Sequence, residues 1–247
     1  MVENTFLLIE KIPEILQKYP FSFSFALGLI PALIWLWFWL KEDEHPEPAK
    51  MITLSFLGGM LAVICVLPLQ KFVYDLVSYN TFAFFLWASL EEIFKFAIIY
   101  FIALRNRATD EPVDTIIYMI VGALGFVALE NTLFLVDLMS RGDVSGVLMT
   151  INLRFIGASL LHIISSATIG IFMAISFYKK QSSKIIYTSV GLILAILLHT
   201  SFNLIIISKA ESSVLLAFGM VWICIIILLI LFEKIKHIIP NYRKYER

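Results

Sequence analysis

The stretch SLEEIFKF, Ser89–Phe96, sets two glutamates and a lysine inside a run that otherwise reads TFAFFLWA before it and AIIYFIAL after it. A run this apolar, about 20 residues or more in length, has the form of a membrane-crossing helix. An ionisable residue deep in such a helix costs about 2.5–3.5 kcal/mol. Three of them on one helix must be offset by groups that the rest of the chain supplies.

The rest of the chain is equally apolar. Of 247 residues, 60% are hydrophobic and 15% charged, with a mean hydropathy of +0.89. Soluble domains are nearer half apolar and a quarter charged, so the composition indicates a polytopic membrane protein. The formal net charge of +0 leaves no bulk field to favour nucleic acid. Cys65 and Cys224 lie in apolar runs far apart and read as small core residues, with no disulfide framework and no cysteine metal site.

Seven apolar runs are long enough to span, at roughly 21–40, 51–70, 81–104, 113–136, 154–178, 185–207 and 213–233. Such runs predict helices, and they are too long for barrel strands. The first run is followed by KEDEHPEP rather than by small residues at a cleavage site, so it reads as a span and not as a signal peptide. FLLIEKIPEILQKYP, ahead of it, predicts a short interfacial helix. VSGVLMTIN, at 144–152, is too short to span and is expected at the interface or as a re-entrant segment. The fold class is therefore an all-α bundle of about seven transmembrane helices. Residues 1–247 form a single integral membrane domain whose catalytic core is about 81–207.

The loops divide the basic residues unequally. One set holds Lys41, Lys50, Arg105, Arg107, Lys179, Lys180, Lys184, Lys234, Lys236, Arg243, Lys244 and Arg247, which is twelve; the other holds Lys11, Lys18, Lys71, Arg141 and Lys209, which is five. Positive-inside then puts the N-terminus outside and the C-terminus in the cytoplasm.

Four consecutive runs carry ionisable residues: Glu91, Glu92 and Lys95, then Glu130, then His162, then His199. At 1.5 Å per residue, Glu91, Glu130, His162 and His199 lie roughly 15, 9, 12 and 12 Å below the outer surface. Scattered structural polar residues would have no reason to share one layer. Their faces agree as well. His162 continues a stripe of Ala158, Ser166 and Gly170, and His199 one of Gly191, Ala195 and Asn203. Small residues of this kind let membrane helices approach closely.

With Glu91, Glu92, Glu130 and Lys95 ionised, the layer carries −3 + 1 = −2, which cannot stay buried uncompensated. Two compensations are open. Zn²⁺ could bind among Glu92, Glu130, His162 and His199, leaving one carboxylate as general base. Alternatively, a carboxyl keeps its proton and the layer becomes an acid–base site, with a carboxylate to activate water and a histidine to relay the proton. Asn203, one turn after His199, could donate its amide N–H to an oxyanion. Lys95 most simply offsets a glutamate. Both schemes describe water attacking a carbonyl inside the membrane.

EEIFK, GFVALEN, the histidine of SLLHIISSATIG, and HTSFN occur in this order on consecutive runs. The set resembles the PrsW family of intramembrane proteases, within the wider clan of the CAAX prenyl endopeptidases, over roughly residues 81–207. The resemblance implies an intramembrane peptidase that makes the extracytoplasmic cut in a membrane-anchored substrate such as an anti-sigma factor. It implies roles for the paired Glu91 and Glu92, for Glu130, for His162 and His199, and for Asn203 at the final polar position. CAAX-type members show EExxxR and a histidine where this chain has EExxK and Glu130, which argues against prenylated substrates. HExxH, the familiar zinc-protease helix, does not occur.

The expected function is therefore an intramembrane endopeptidase of the cell membrane, acting on a single-span membrane protein within the lipid bilayer and not on nucleic acid. Two further readings use the same residues: a non-catalytic scaffold or immunity-type protein, and a proton- or cation-coupled transporter. Transport is disfavoured because no inverted repeat and no pair of broken helices is visible.

Overall fold

The computed structural model describes residue 14 and residues 17–77, 80–208 and 213–238. The interfacial helix expected before residue 20 lies almost wholly outside these residues. The described elements are helices: α1 Pro20–Glu42, α2 Ala49–Val77, α3 Thr81–Ile99, α4 Pro112–Ser140, α5 Val144–Leu153, α6 Ser159–Ile175, α7 Gln181–Ile207 and α8 Ser213–Lys236. Two single-turn π-helical segments, Tyr100–Leu104 and Arg154–Ala158, extend α3 and join α5 to α6.

Among the described residues, six helical stretches are long and apolar enough to cross a membrane: α1, α2, α4, the continuous stretch Val144–Ile175, α7 and α8. The chain is thus a multi-pass integral membrane protein. The expected third span, 81–104, is not among the six: its helix, Thr81–Ile99 with the π-helical turn to Leu104, carries Glu91, Glu92 and Lys95. The expectation for residues 144–152 needs correction. They form no separate interfacial or re-entrant element but a helix that runs through Arg154–Ala158 into α6. Asp143 caps its start, accepting the Gly146 N–H at 2.9 Å.

Helix α4 is the axis of the bundle and packs against α1, α2 and α6. From Pro112 to Ala128 every residue is buried, as expected for a helix that is apolar on all faces. It begins with a capping box between Glu111 and Asp114, and Pro112 supplies a pre-set φ at the first turn. It ends at Gly142, whose φ of +68° closes the helix with Gly142 N–H donating to the Met139 oxygen and Asp143 N–H to the Leu138 oxygen. The approach of α2 to α4 depends on glycine. A methyl group on Gly59 would fall 1.8 Å from the Gly122 carbonyl oxygen, and one on Gly125 would fall 1.8 Å from that of Phe56. The small-residue stripe on α6 has the same purpose: a methyl on Gly170 would sit 2.7 Å from the Ile116 Cα. Cys65 and Cys224 are free and half-buried.

Candidate active site

Helices α3, α4, α6 and α7 bring their ionisable residues into one cluster. Glu91, Glu92, Lys95, His162 and His199 are all buried. Lys95 is at the centre: its ammonium donates to Glu92 Oε1 at 2.6 Å and to His162 Nδ1 at 3.1 Å, and lies 5.0 Å from the Phe126 ring centre. Because an ammonium can only donate, His162 Nδ1 accepts, and its proton must sit on Nε2. That nitrogen faces Glu130 Oε2 at 3.2 Å. His199 Nδ1 donates to Glu92 Oε1 at 2.7 Å, since a carboxylate can only accept. Its other nitrogen, Nε2, is left 3.6 Å from Glu91 Oε2.

The two adjacent glutamates therefore differ in kind. Glu92 is fully enclosed, held by Lys95 and His199 with Ser166 Oγ 3.4 Å from its second oxygen. Glu91 receives a hydrogen bond at 2.7 Å from Gln70 Nε2 on its first oxygen, while its second oxygen, buried, has no hydrogen-bond partner. Glu91, Glu130, His162, His199 and Asn203 line a cavity of about 1030 Å³ whose other walls are mostly aliphatic and aromatic. Glu92 and Lys95 stand behind it.

Two residues outside the expected set belong to the cluster. Arg154 donates through Nη2 to Glu130 and through Nε to Asn131, with its guanidinium 4.0 Å from the Phe134 ring centre. With Arg154 counted, the buried charge becomes −3 + 2 = −1 rather than −2. One proton would neutralise it, as would a divalent cation carrying one hydroxide. Arg154 lies eight residues before His162, two helical turns along the same face, and that spacing is visible in the sequence. Gln70 had no such signal. It lies one helix away on α2, and only the packing of α2 on α3, assisted by the Trp87 indole donating to the Gln70 carbonyl at 3.0 Å, delivers it to Glu91.

Among the described residues, three groups are able to converge on one metal ion, Glu91, His162 and His199, whose donor atoms lie within 4.8 Å of one another. Glu92 and Glu130, expected among the ligands, are not in this group; Lys95 and His199 hold Oε1 of Glu92, and Arg154 and His162 hold Oε2 of Glu130. The donor chemistry fits Zn²⁺: two imidazoles and one carboxylate is a known catalytic set, and Glu91 Oε2 is a buried oxygen without a partner. To take part through Nε2, His162 would have to release Glu130 and give up its Nε2 proton, and Arg154 keeps Glu130 paired when it does.

A family model described as "PrsW family intramembrane metalloprotease" matches residues 47–231. "Protease PrsW" of Oceanobacillus iheyensis is 27% identical over 204 residues, covering 81% of this chain and 91% of that protein. The proteins of the same name from Geobacillus kaustophilus and Bacillus subtilis are 28% and 26% identical, covering 69% and 68% of this chain and 73% and 74% of their own lengths. No solved structure matches the chain.

Proposed function

Because the chain belongs to the PrsW family of intramembrane metalloproteases, we propose that this protease cuts a single-span membrane protein near the outer face of the cell membrane. A membrane-anchored anti-sigma factor is one such substrate. The observation that carries the reading is the open pair, Glu91 Oε2 and His199 Nε2, 3.6 Å apart and lining the large cavity. In the seven-span arrangement with the N-terminus outside, Thr81–Leu104 completes the bundle and the pair lies in the outer half of the bilayer.

A water between Glu91 Oε2 and His199 Nε2 is placed to lose its proton to the carboxylate as it attacks the scissile carbonyl. Asn203, lining the same cavity, offers its amide N–H to the developing oxyanion. Glu92 holds the His199 ring through Nδ1, so that Nε2 faces the cavity, and Lys95 fixes the tautomer of His162. The same proton, now on Glu91, passes to the departing amine, while Glu130, ion-paired with Arg154, holds the Nε2–H of His162. Zn²⁺ held by Glu91, His162 and His199 would polarise the carbonyl and acidify a bound water.

The test is fragment release from a single-span substrate co-reconstituted in liposomes. Glu91→Gln should lower the rate by about a hundredfold or more while the protein remains folded. Cleavage by this variant at the wild-type rate would remove Glu91 from the chemistry. A chelator that abolishes wild-type cleavage, with recovery on adding Zn²⁺, assigns the metal route; cleavage unaffected by chelation assigns the metal-free one.

A further inference from the structure

A second cavity, of about 440 Å³, lies at the other end of the bundle. It is walled by the π-helical end of α3, the turn after it, the end of α6 and the first turns of α7. On α7 it lies about 22 Å from His199, fifteen residues along the helix. Its lining contains two cations, Arg105 and Lys184, and no acidic residue. Neither cation has a carboxylate partner among the described residues. Arg105 rests near the Tyr100 and Phe101 rings, at 5.9 and 5.7 Å, and Lys184 lies 5.3 Å from the Phe177 ring centre. Aromatic contacts position the charges without neutralising them.

The polar groups divide by availability. Thr109, Thr115 and Ser176 already donate their hydroxyl protons to backbone carbonyls. Gln181, Thr188 and Ser189 line the cavity from α7 beside Lys184. The first turn of α7 has no side-chain cap, so its amide dipoles add to the positive field there. Phe101, beside the cavity, and Ile185, in its lining, are exposed apolar residues, the surface that acyl chains would cover.

We propose that this cavity binds the phosphate of an anionic phospholipid headgroup, with Arg105 and Lys184 as the paired cations and Gln181 as the polar contact. Basic pockets between membrane helices are suited to anionic headgroups, and the volume falls in the range of small-ligand sites.

The full-length protein, delipidated in neutral detergent, is titrated with phosphatidylglycerol, with phosphatidylcholine and with inorganic phosphate, and bound lipid is counted by native mass spectrometry. Wild type should retain phosphatidylglycerol over phosphatidylcholine, and R105Q/K184Q should bind it about thirtyfold more weakly. R105Q alone should lose about fivefold, and the charge-keeping R105K/K184R should stay near wild type. Lys50→Gln, a cation outside this cavity, should change nothing. Displacement of the lipid by inorganic phosphate would make soluble phosphate the source and reject the lipid. Equal binding of phosphatidylglycerol by wild type and R105Q/K184Q would overturn the site.

Discussion

Buried acids gather at both ends of α4, about 24 Å apart between Asp114 and Glu130. At the Glu130 end, three carboxylates are matched by Lys95, Arg154 and two histidines, and one oxygen remains open to a cavity. At the Asp114 end, the partners are backbone N–H groups, a hydroxyl and a second carboxyl, and Asp114 Oδ1 and Asp43 Oδ2 are buried without a hydrogen-bond partner. Asp114 Oδ2 accepts the N–H groups of Asp110 and Glu111 at 2.8 Å each, the Tyr118 hydroxyl donates to Glu47, and Glu47 touches the Asp114 carboxyl. Asp43 is buried beside them and accepts the His45 N–H. None of these acids lines either large cavity. The first arrangement opens onto a cavity. The second ties the loop between α1 and α2 to the cap of α4. An unpartnered buried oxygen is common to both ends; a cavity in front of it sets the Glu130 end apart.

The largest effect that would break this comparison is at Lys95. Lys95→Met leaves Glu92 without its cation in a fully buried setting, which costs about 3–5 kcal/mol. The expected result is loss of folded protein on size-exclusion chromatography. A folded Lys95→Met variant with normal cleavage would show that the ammonium is not the hub of the cluster.

Arg154→Gln should preserve the fold but lower cleavage by about a hundredfold, because Glu130 loses its orientation. Arg154→Lys should recover part of that, since an ammonium can reach Glu130 but cannot hold Asn131 in the same fork. Equal rates for Gln and Lys variants would remove Arg154 from the positioning of Glu130.

Gln70→Leu should lower kcat about tenfold through the lost hydrogen bond to Glu91, with KM nearly unchanged. A change in KM alone would instead make Gln70 part of the substrate wall.

The smallest effect belongs to the other end of α4. Burial, with the nearby charges of Asp43 and Asp110, holds the Glu47 carboxyl above its usual range, though the Tyr118 contact opposes this; burial raises Asp43 as well. A raised carboxyl means that the folded protein keeps protons that the unfolded chain has released. The associated stability is therefore complete below the ordinary carboxylate range and lost as pH rises through the folded value. Wild type should melt a few degrees higher at pH 5 than at pH 7.5. Glu47→Gln should flatten that slope and leave cleavage intact. An unchanged slope in this variant would place the titrating group elsewhere.

Much of the site was legible in the sequence because membrane insertion makes every buried ionisable group expensive. Glu91, Glu92, Lys95, Glu130, His162 and His199 stood out for that reason, and helical rise gave Glu91, Glu130, His162 and His199 similar expected depths. Which atom faces which was not legible. Glu91 and Glu92 are adjacent in an identical apolar context, yet a 100° step around α3 turns one towards the cavity and the other towards Lys95 and His199. The stretch 144–152 was misjudged on length alone, because the helix continues through a π-helical turn that periodicity does not announce.

The sequence by itself determined a helical multi-pass protein with a layer of acid–base residues, since hydropathy and residue cost are local properties. The tertiary structure decided that Glu91 is open and Glu92 closed, that Arg154 and Gln70 lie against the cluster, and that Glu91, rather than Glu92 or Glu130, converges with His162 and His199. Those outcomes depend on how α2, α6 and α7 rotate against α3 and α4, and rotation is set by close contacts such as Gly59 against Gly122, which no single helix contains.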